Sequence, residues 1–344
     1  MAEDMAIDYL DKVRGMLYGV ALGDSLGAPH EFRQSIPLTK YTGRLEYKSL
    51  VPSRFQGDRW GVIGQWTDDT EMTLALANSI LRNKGYNRDD VIRVYQDWAN
   101  SHPFGMGKNT RRLFYGVKTV KGYEQRYNKA LQEDLNQTQS NGSLMRATPL
   151  ALLVDLDDPD SFKDVIEDIY LSNPNPVNEE AGLIYVTALA LALRGVKEEI
   201  ILDTITQEAE GMSPEIKVVI YQVNEGLARD IKTNKGWVVH SLYCSLMSLR
   251  YYHLAIEEDN ERSFTTAINE IILMGGDTDT NGAIAGGLLG ALVGYQRLLK
   301  QGQAENIDII RNIKTEEGDF PRPDIYHPKS IDELAERLVK IFPE

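Results

Sequence analysis

The sequence predicts an all-α fold, a compact helical bundle in one domain spanning 1–344. Three observations carry that expectation. Apolar residues recur at intervals of three and four through most of the 344 residues, few stretches alternate with a period of two, and no strand–helix–strand rhythm is present. The first periodic segment runs over about 8–26, with Leu10, Val13, Leu17 and Val20 on one stripe. Residues 33–64 interrupt the pattern. Pro37, Gly43, Pro52, Gly57, Gly61 and Gly64 predict a long irregular loop, and a loop of that length beside a helical core is a candidate lid. Helices follow over about 69–83 and 88–99, then a short one over about 109–118 behind the turn Gly105-Met106-Gly107. The periodicity resumes over about 143–154, 179–195, 213–228, 238–256, 262–274 and 279–300. In the last of these, Gly286, Gly290 and Gly294 form a ridge of small residues suited to close packing in the middle of a bundle. The acidic patches 155–160 and 257–261 read as solvated helix ends or loops, and no linker divides the chain.

Composition narrows the function classes. With 37 Lys and Arg against 51 Asp and Glu the net charge is −14, which argues against a nucleic-acid partner held on a basic face. Cys244 is the only cysteine, so an intrachain disulfide and a Cys-based zinc site are both excluded. The five histidines show neither HExxH nor an i,i+4 pair, which argues against His-ligated zinc. The acidic start lacks the pattern of a signal peptide, and the uncharged run in 282–299 is too short to span a bilayer. A cytoplasmic protein without a membrane partner is the expectation.

Two acidic clusters about 210 residues apart carry the strongest chemical signal. The first is Gln65-Trp66-Thr67-Asp68-Asp69-Thr70-Glu71 and the second Gly275-Gly276-Asp277-Thr278-Asp279-Thr280-Asn281, each opening an apolar helix. Consecutive residues inside a helix point about 100° apart, so Thr67, Asp68 and Asp69 converge on one centre only where the helix begins and the backbone is irregular. Asp277 and Asp279 face the same constraint. Helix capping is the simpler reading of either cluster, with Asp68-x-x-Glu71 as a capping box. Two clusters with two Asp each exceed what capping needs, and four carboxylates repel one another without cations. Two Mg²⁺ (with Mn²⁺ as the substitute) balance that charge at a spacing of roughly 3.5–4 Å. An EF-hand is excluded, because the position that needs Glu is Leu288. Two further turns open helices: Gly105-Met106-Gly107-Lys108, which reads first as a plain turn although its free N–H groups suit a phosphate, and Ser140-Asn141-Gly142-Ser143, which reads as an N-cap on an Asn-Gly turn.

Four segments in this order resemble the motifs of the ADP-ribosylglycohydrolase family: Gly15-Met-Leu-Tyr-Gly-Val-Ala-Leu-Gly-Asp24-Ser-Leu-Gly-Ala-Pro-His-Glu31-Phe32, Gln65-Trp-Thr-Asp-Asp-Thr70, Asn141-Gly-Ser-Leu-Met-Arg146 and Gly275-Gly-Asp-Thr-Asp-Thr280. The resemblance covers about residues 13–295 and implies an all-α fold with two Mg²⁺. By matching positions it implies Thr67, Asp68, Asp69, Asp277, Asp279 and Thr280 as ligands, with Glu31 beside the metals. It also implies an ADP-ribose pocket from Gly105, Met106, Gly107, Asn141, Gly142, Ser143 and Arg146. Many members carry His near 172–175 where this chain has Asn173, and an Asp before the glycine loop that 101–108 lacks. The implied reaction is hydrolysis of the bond from the ribose anomeric carbon to an acceptor, through a transition state of oxocarbenium character, with Glu31, Asp68 or Asp69 moving the proton. The implied partner is an ADP-ribosylated protein, modified at arginine or serine. The alternatives are a free ADP-ribose or nucleoside conjugate, and a silent ADP-ribose-binding member.

Overall fold

The computed structural model describes residues 2–32, 43–45 and 61–344. Most of the 33–64 segment read as a lid lies outside the described residues. The helices are α1 (Ala2–Gly27), α2 (Asp68–Asn83), α3 (Arg88–Ala99), α4 (Lys108–Phe114), α5 (Val120–Glu133), α6 (Lys163–Tyr170), α7 (Pro176–Leu193), α8 (Glu198–Glu208), α9 (Pro214–Glu225), α10 (Val238–Glu257), α11 (Ser263–Leu273), α12 (Thr278–Val293), α13 (Tyr295–Leu298), α14 (Ala304–Asn312) and α15 (Ile331–Ile341). No strand occurs among the described residues, only an isolated bridge between Ser140 and Trp237. The fold class is therefore all-α, as the periodicity predicts.

The axis of the molecule is α1 against α12. Both helices are buried along most of their length, and glycines let their backbones touch. A Cβ on Gly19 would fall 2.0 Å from the Gly286 carbonyl oxygen, and one on Gly23 only 1.8 Å from that of Gly282. The Gly286–Gly290 ridge thus packs as the sequence predicts. Gly294 differs: with φ +81° it stops α12 at Val293, so the predicted helix 279–300 is two helices. α2, α7, α10 and α11 also pack on α12. No single helix among the described residues is long and apolar enough to cross a membrane.

Other boundaries moved for identifiable reasons. The helix predicted over 143–154 is two 3₁₀ turns, Leu144–Arg146 and Thr148–Leu152, because Pro149 has no N–H to continue an α-helix. Ser143 makes no side-chain cap there. α7 starts three residues early, where the Asn175 side chain accepts from Val177 N and Pro176 fits the first turn.

Candidate active site

Three helix ends meet at one place. α1 ends in a 3₁₀ turn, Ala28–His30, that delivers Glu31; α2 begins with Asp68 and Asp69; α12 begins just after Asp277 and carries Asp279 in its first turn. One carboxylate oxygen from each of Glu31, Asp277 and Asp279 lies within 4.8 Å of the other two. The irregular backbone that this convergence requires is present: Asp277, at φ −90° and ψ 76°, is outside the helix that contains Asp279. Thr280 N donates to Asp279 Oδ1 at 2.9 Å, and Asn141 Nδ2 donates to Asp277 Oδ2 at 2.8 Å.

A residue without an assigned role in the sequence reading organises the α2 side. Asp24, fully buried near the end of α1, accepts from the backbone N–H and hydroxyl of both Thr67 and Thr70. The cap of α2 therefore comes from another helix, and the predicted capping box does not form. Thr67 Oγ1 also lies 2.9 Å from Asp69 Oδ2, while Asp69 Oδ1 is buried without a protein partner. The sequence signals for Asp24 are a carboxylate inside an otherwise apolar helical run and its place in the first of the four family-like segments.

Glu71, the expected capping-box partner, accepts from Trp66 Nε1 at 3.1 Å and Trp98 Nε1 at 2.8 Å. It pairs through both oxygens with Arg322, at 2.6 and 2.9 Å. The Arg322 guanidinium, with no exposed surface, also donates to the Ser101 and His102 carbonyls at 2.8 and 3.0 Å. It thereby ties α2 to the loop that leads to Gly105. Arg322→Met should cost about 3–5 kcal/mol of unfolding free energy, because Glu71 would be left buried without its partner. Urea unfolding reads this directly, and a loss below about 1 kcal/mol would contradict it.

Burial raises every carboxyl in the cluster, and repulsion from neighbouring carboxylates adds to it at Glu31, Asp68, Asp69 and Asp279. Asp24 is pushed up to about 6 by burial, held back by its bonds from Thr70 and Thr67. Asp68 rises to about 7 through burial and then the Asp24 charge. Glu31 rises to about 8 through burial and then Asp277 and Asp68. Asp69 and Asp279 are raised well above the carboxylate range, first by burial. Asp277 is raised by burial and eased by its bond from Asn141. The convergence of Glu31, Asp277 and Asp279, with Asp68 and Asp69 at the adjoining start of α2 and an unpartnered buried oxygen on Asp69, forms a donor set that fits hard divalent cations.

The two predicted turns flank this cluster. Gly105 runs against α2, where a Cβ would approach Asp68 Oδ1 to 3.1 Å. Met106 is partly buried against the core. Gly107 and Gly142 both face Thr110 Oγ1, which brings the glycine loop and the Asn-Gly turn side by side. Asn141 divides its amide between Asp277 and Ser241 Oγ, so its side chain positions a carboxylate. Ser143 is buried next to Asn178, 3.4 Å from its amide.

Arg146 and Asn173 are placed behind the pocket. The Arg146 guanidinium is wholly buried and donates to Asp168 Oδ2 at 3.0 Å, Asp168 O and Gly142 O at 2.8 Å, and Ser172 Oγ at 3.0 Å. The Asn173 amide is spent on Ser140, at 2.8 Å from Oγ and 3.0 Å from O. Both side chains fix the backbone of the 140–143 turn, a role that needs tertiary contacts to recognise. On the other side of that turn, Asn141 N donates to Gly236 O at 2.9 Å. A shallow, open depression lies there, lined by Thr138, Ser140, Lys235, Gly236 and Trp237 among others.

The ADP-ribosylglycohydrolase family model matches residues 5–342. The chain belongs to this family. It is similar to the ADP-ribosyl-[dinitrogen reductase] glycohydrolase of Rhodospirillum rubrum, at 25% identity over 83% of this chain and 86% of that protein. It is also 25% identical to the ADP-ribosylarginine hydrolase Tri1 of Pseudomonas putida, over 83% of this chain and 71% of that protein. A solved chain titled "ADP-ribosylglycohydrolase-related protein complex" has the same fold, with a TM-score of 0.68 at 23% identity, covering 97% of this chain and 99% of that one. As an ADP-ribosylglycohydrolase the protein is a hydrolase, and its family supports action on ADP-ribose conjugates.

Proposed function

We propose that this ADP-ribosylglycohydrolase removes ADP-ribose from a modified protein side chain and depends on two Mg²⁺, with Mn²⁺ able to substitute. The observation that carries the reading is the convergence of Glu31, Asp277 and Asp279 beside the acidic start of α2. Thr67, Asp68, Asp69, Asp277, Asp279 and Thr280 would hold the cations, with Glu31 closing the set. When bound, divalent cations supply positive charge for orienting the ribose hydroxyls and activating water. The residues do the rest. The glycosidic bond lengthens toward an oxocarbenium-like state that carboxylates around the sugar favour. A proton must move from water and reach the departing acceptor. Asp69 is enclosed and engaged to Thr67, which leaves Glu31 and Asp68 as the carboxyls with access to the cleft. Arginine is the proposed linkage, in keeping with the activity named for the Pseudomonas relative.

The assay is ADP-ribose release from arginine- and serine-ADP-ribosylated proteins, with Mg²⁺, with Mn²⁺ and with EDTA. Release from the arginine conjugate, stopped by EDTA, is the expected result. Release that persists in EDTA would overturn the cation requirement. Release from serine alone would overturn the linkage. No release from either, with Mg²⁺ bound, would point to a free conjugate as substrate.

A further inference from the structure

We propose that Lys235 is a latch that holds Glu31 over the cation site by gripping Phe32. This rests on the cation site proposed above. Phe32 follows Glu31 directly and has a left-handed backbone, φ +56°, a conformation that a bulky aromatic residue adopts only when its surroundings enforce it. Two elements supply that enforcement. Phe32 N donates to the Gly276 carbonyl at 2.9 Å, which ties it to the turn that delivers Asp277. Lys235 Nζ donates to the Phe32 carbonyl at 3.2 Å and stands 5.3 Å from the centre of the same ring. Phe32 is 38% exposed, so these two contacts are made at the rim of the site.

The segment carrying Lys235 is itself anchored against the site. A Cβ on Gly276 would fall 2.6 Å from the Ile231 carbonyl, and one on Gly236 would lie 3.6 Å from both Asn141 Oδ1 and Asp277 Oδ2. Lys235 therefore reaches Phe32 from a fixed base.

The charge of Lys235 makes the inference testable in sign. An ammonium next to a cation site repels the cation, so its removal should tighten binding if charge were its only effect. A latch predicts the reverse, because Glu31 would lose its fixed place. The experiment is calorimetric titration of the full chain with Mn²⁺ alone, for wild type, Lys235→Met, Lys235→Arg, Glu31→Gln and the double variant Lys235→Met/Glu31→Gln. Lys235→Met should weaken binding about threefold to tenfold, the scale of one charge-assisted hydrogen bond. Lys235→Arg, which keeps the charge and the ring contact, should stay within about twofold of wild type. In the Glu31→Gln background Lys235→Met should cause no further weakening. Tighter or unchanged binding by Lys235→Met overturns the latch alone. A wild type that takes up no Mn²⁺ overturns the latch together with the cation site.

Discussion

Asp279→Asn is expected to abolish cation uptake and to lower ADP-ribose release at least about 10²-fold, the scale seen when one electrostatic element of an active site is removed. Asp68→Asn should behave in the same way. The fold should survive both changes. Asn at 279 retains an oxygen for the Thr280 N–H, the bond that the Asp279 carboxylate now accepts, so the first turn of α12 keeps its partner. What disappears is charge, and charge is what the cluster has in excess. The same excess fixes a pH dependence. Asp24, Asp68 and Glu31 are raised to about 6, about 7 and about 8, above their values in an unfolded chain. Their neutral forms favour the folded state, so that contribution is complete in the acid range and is lost as pH rises through about 6 to 8. The cation-free protein should melt lower at pH 8 than at pH 5, and added Mg²⁺ should restore more stability at pH 8, where the carboxylates are charged and cation affinity is greatest. Thermal melts with and without Mg²⁺ across that range, for wild type and Asp279→Asn, check both statements. A cation response that is equal at pH 5 and pH 8, or unchanged by Asp279→Asn, would count against the site.

The parts of this molecule legible in its sequence are those specified locally. α1, α2, α10 and α12 bury nearly all their faces or a broad stripe, and their apolar spacing gives them away. The acidic starts of α2 and α12 were visible because Asp and Thr crowd there beyond the needs of a cap. α5 is not among the predicted helices, although Val120, Tyr123, Tyr127, Ala130 and Leu131 have helical spacing, because only Tyr123 and Ala130 of its 14 residues are buried and most of the others are charged or polar. α15 is not among them either, although Ile331, Leu334, Ala335 and Leu338 lie buried on one face, because it follows a stretch of short turns that masks its start. Within the site, the capping box and the surroundings of Arg146 and Asn173 are decided by distant residues. Asp68-x-x-Glu71 has the spacing of a capping box, but Arg322, 251 positions away, claims the Glu71 carboxylate. Arg146 and Asn173 have the chemistry of ligand-binding groups, and their hydrogen bonds are spent on Asp168, Ser172 and Ser140.

Gly19→Ala is expected to cost at least about 3 kcal/mol of stability and to disturb the cation site, although residue 19 touches no carboxylate. The added Cβ would lie 2.0 Å from the Gly286 carbonyl oxygen and 2.7 Å from its carbon. Both are backbone atoms in the middle of α12, so no rotamer change can make room. α1 and α12 would have to part by more than about 1 Å to restore ordinary contact. Their adjoining ends carry the chemistry: Asp24 and Glu31 continue from α1, and Asp277 and Asp279 belong to the start of α12. Thr278 Oγ1, bonded to the Gly27 carbonyl at 2.8 Å, clamps those ends together and would be strained by the same displacement. Gly211→Ala supplies the contrast, because nothing lies within 4 Å of its would-be Cβ; its stability should stay within about 0.5 kcal/mol of wild type. Urea midpoints and Mn²⁺ affinities of the two variants make the comparison. If Gly19→Ala unfolds at the wild-type midpoint, the close approach of α1 and α12 does not set the geometry of the acidic cluster. If it is destabilised and its Mn²⁺ affinity also falls, the backbone contact between two helices is what brings carboxylates from both to one point.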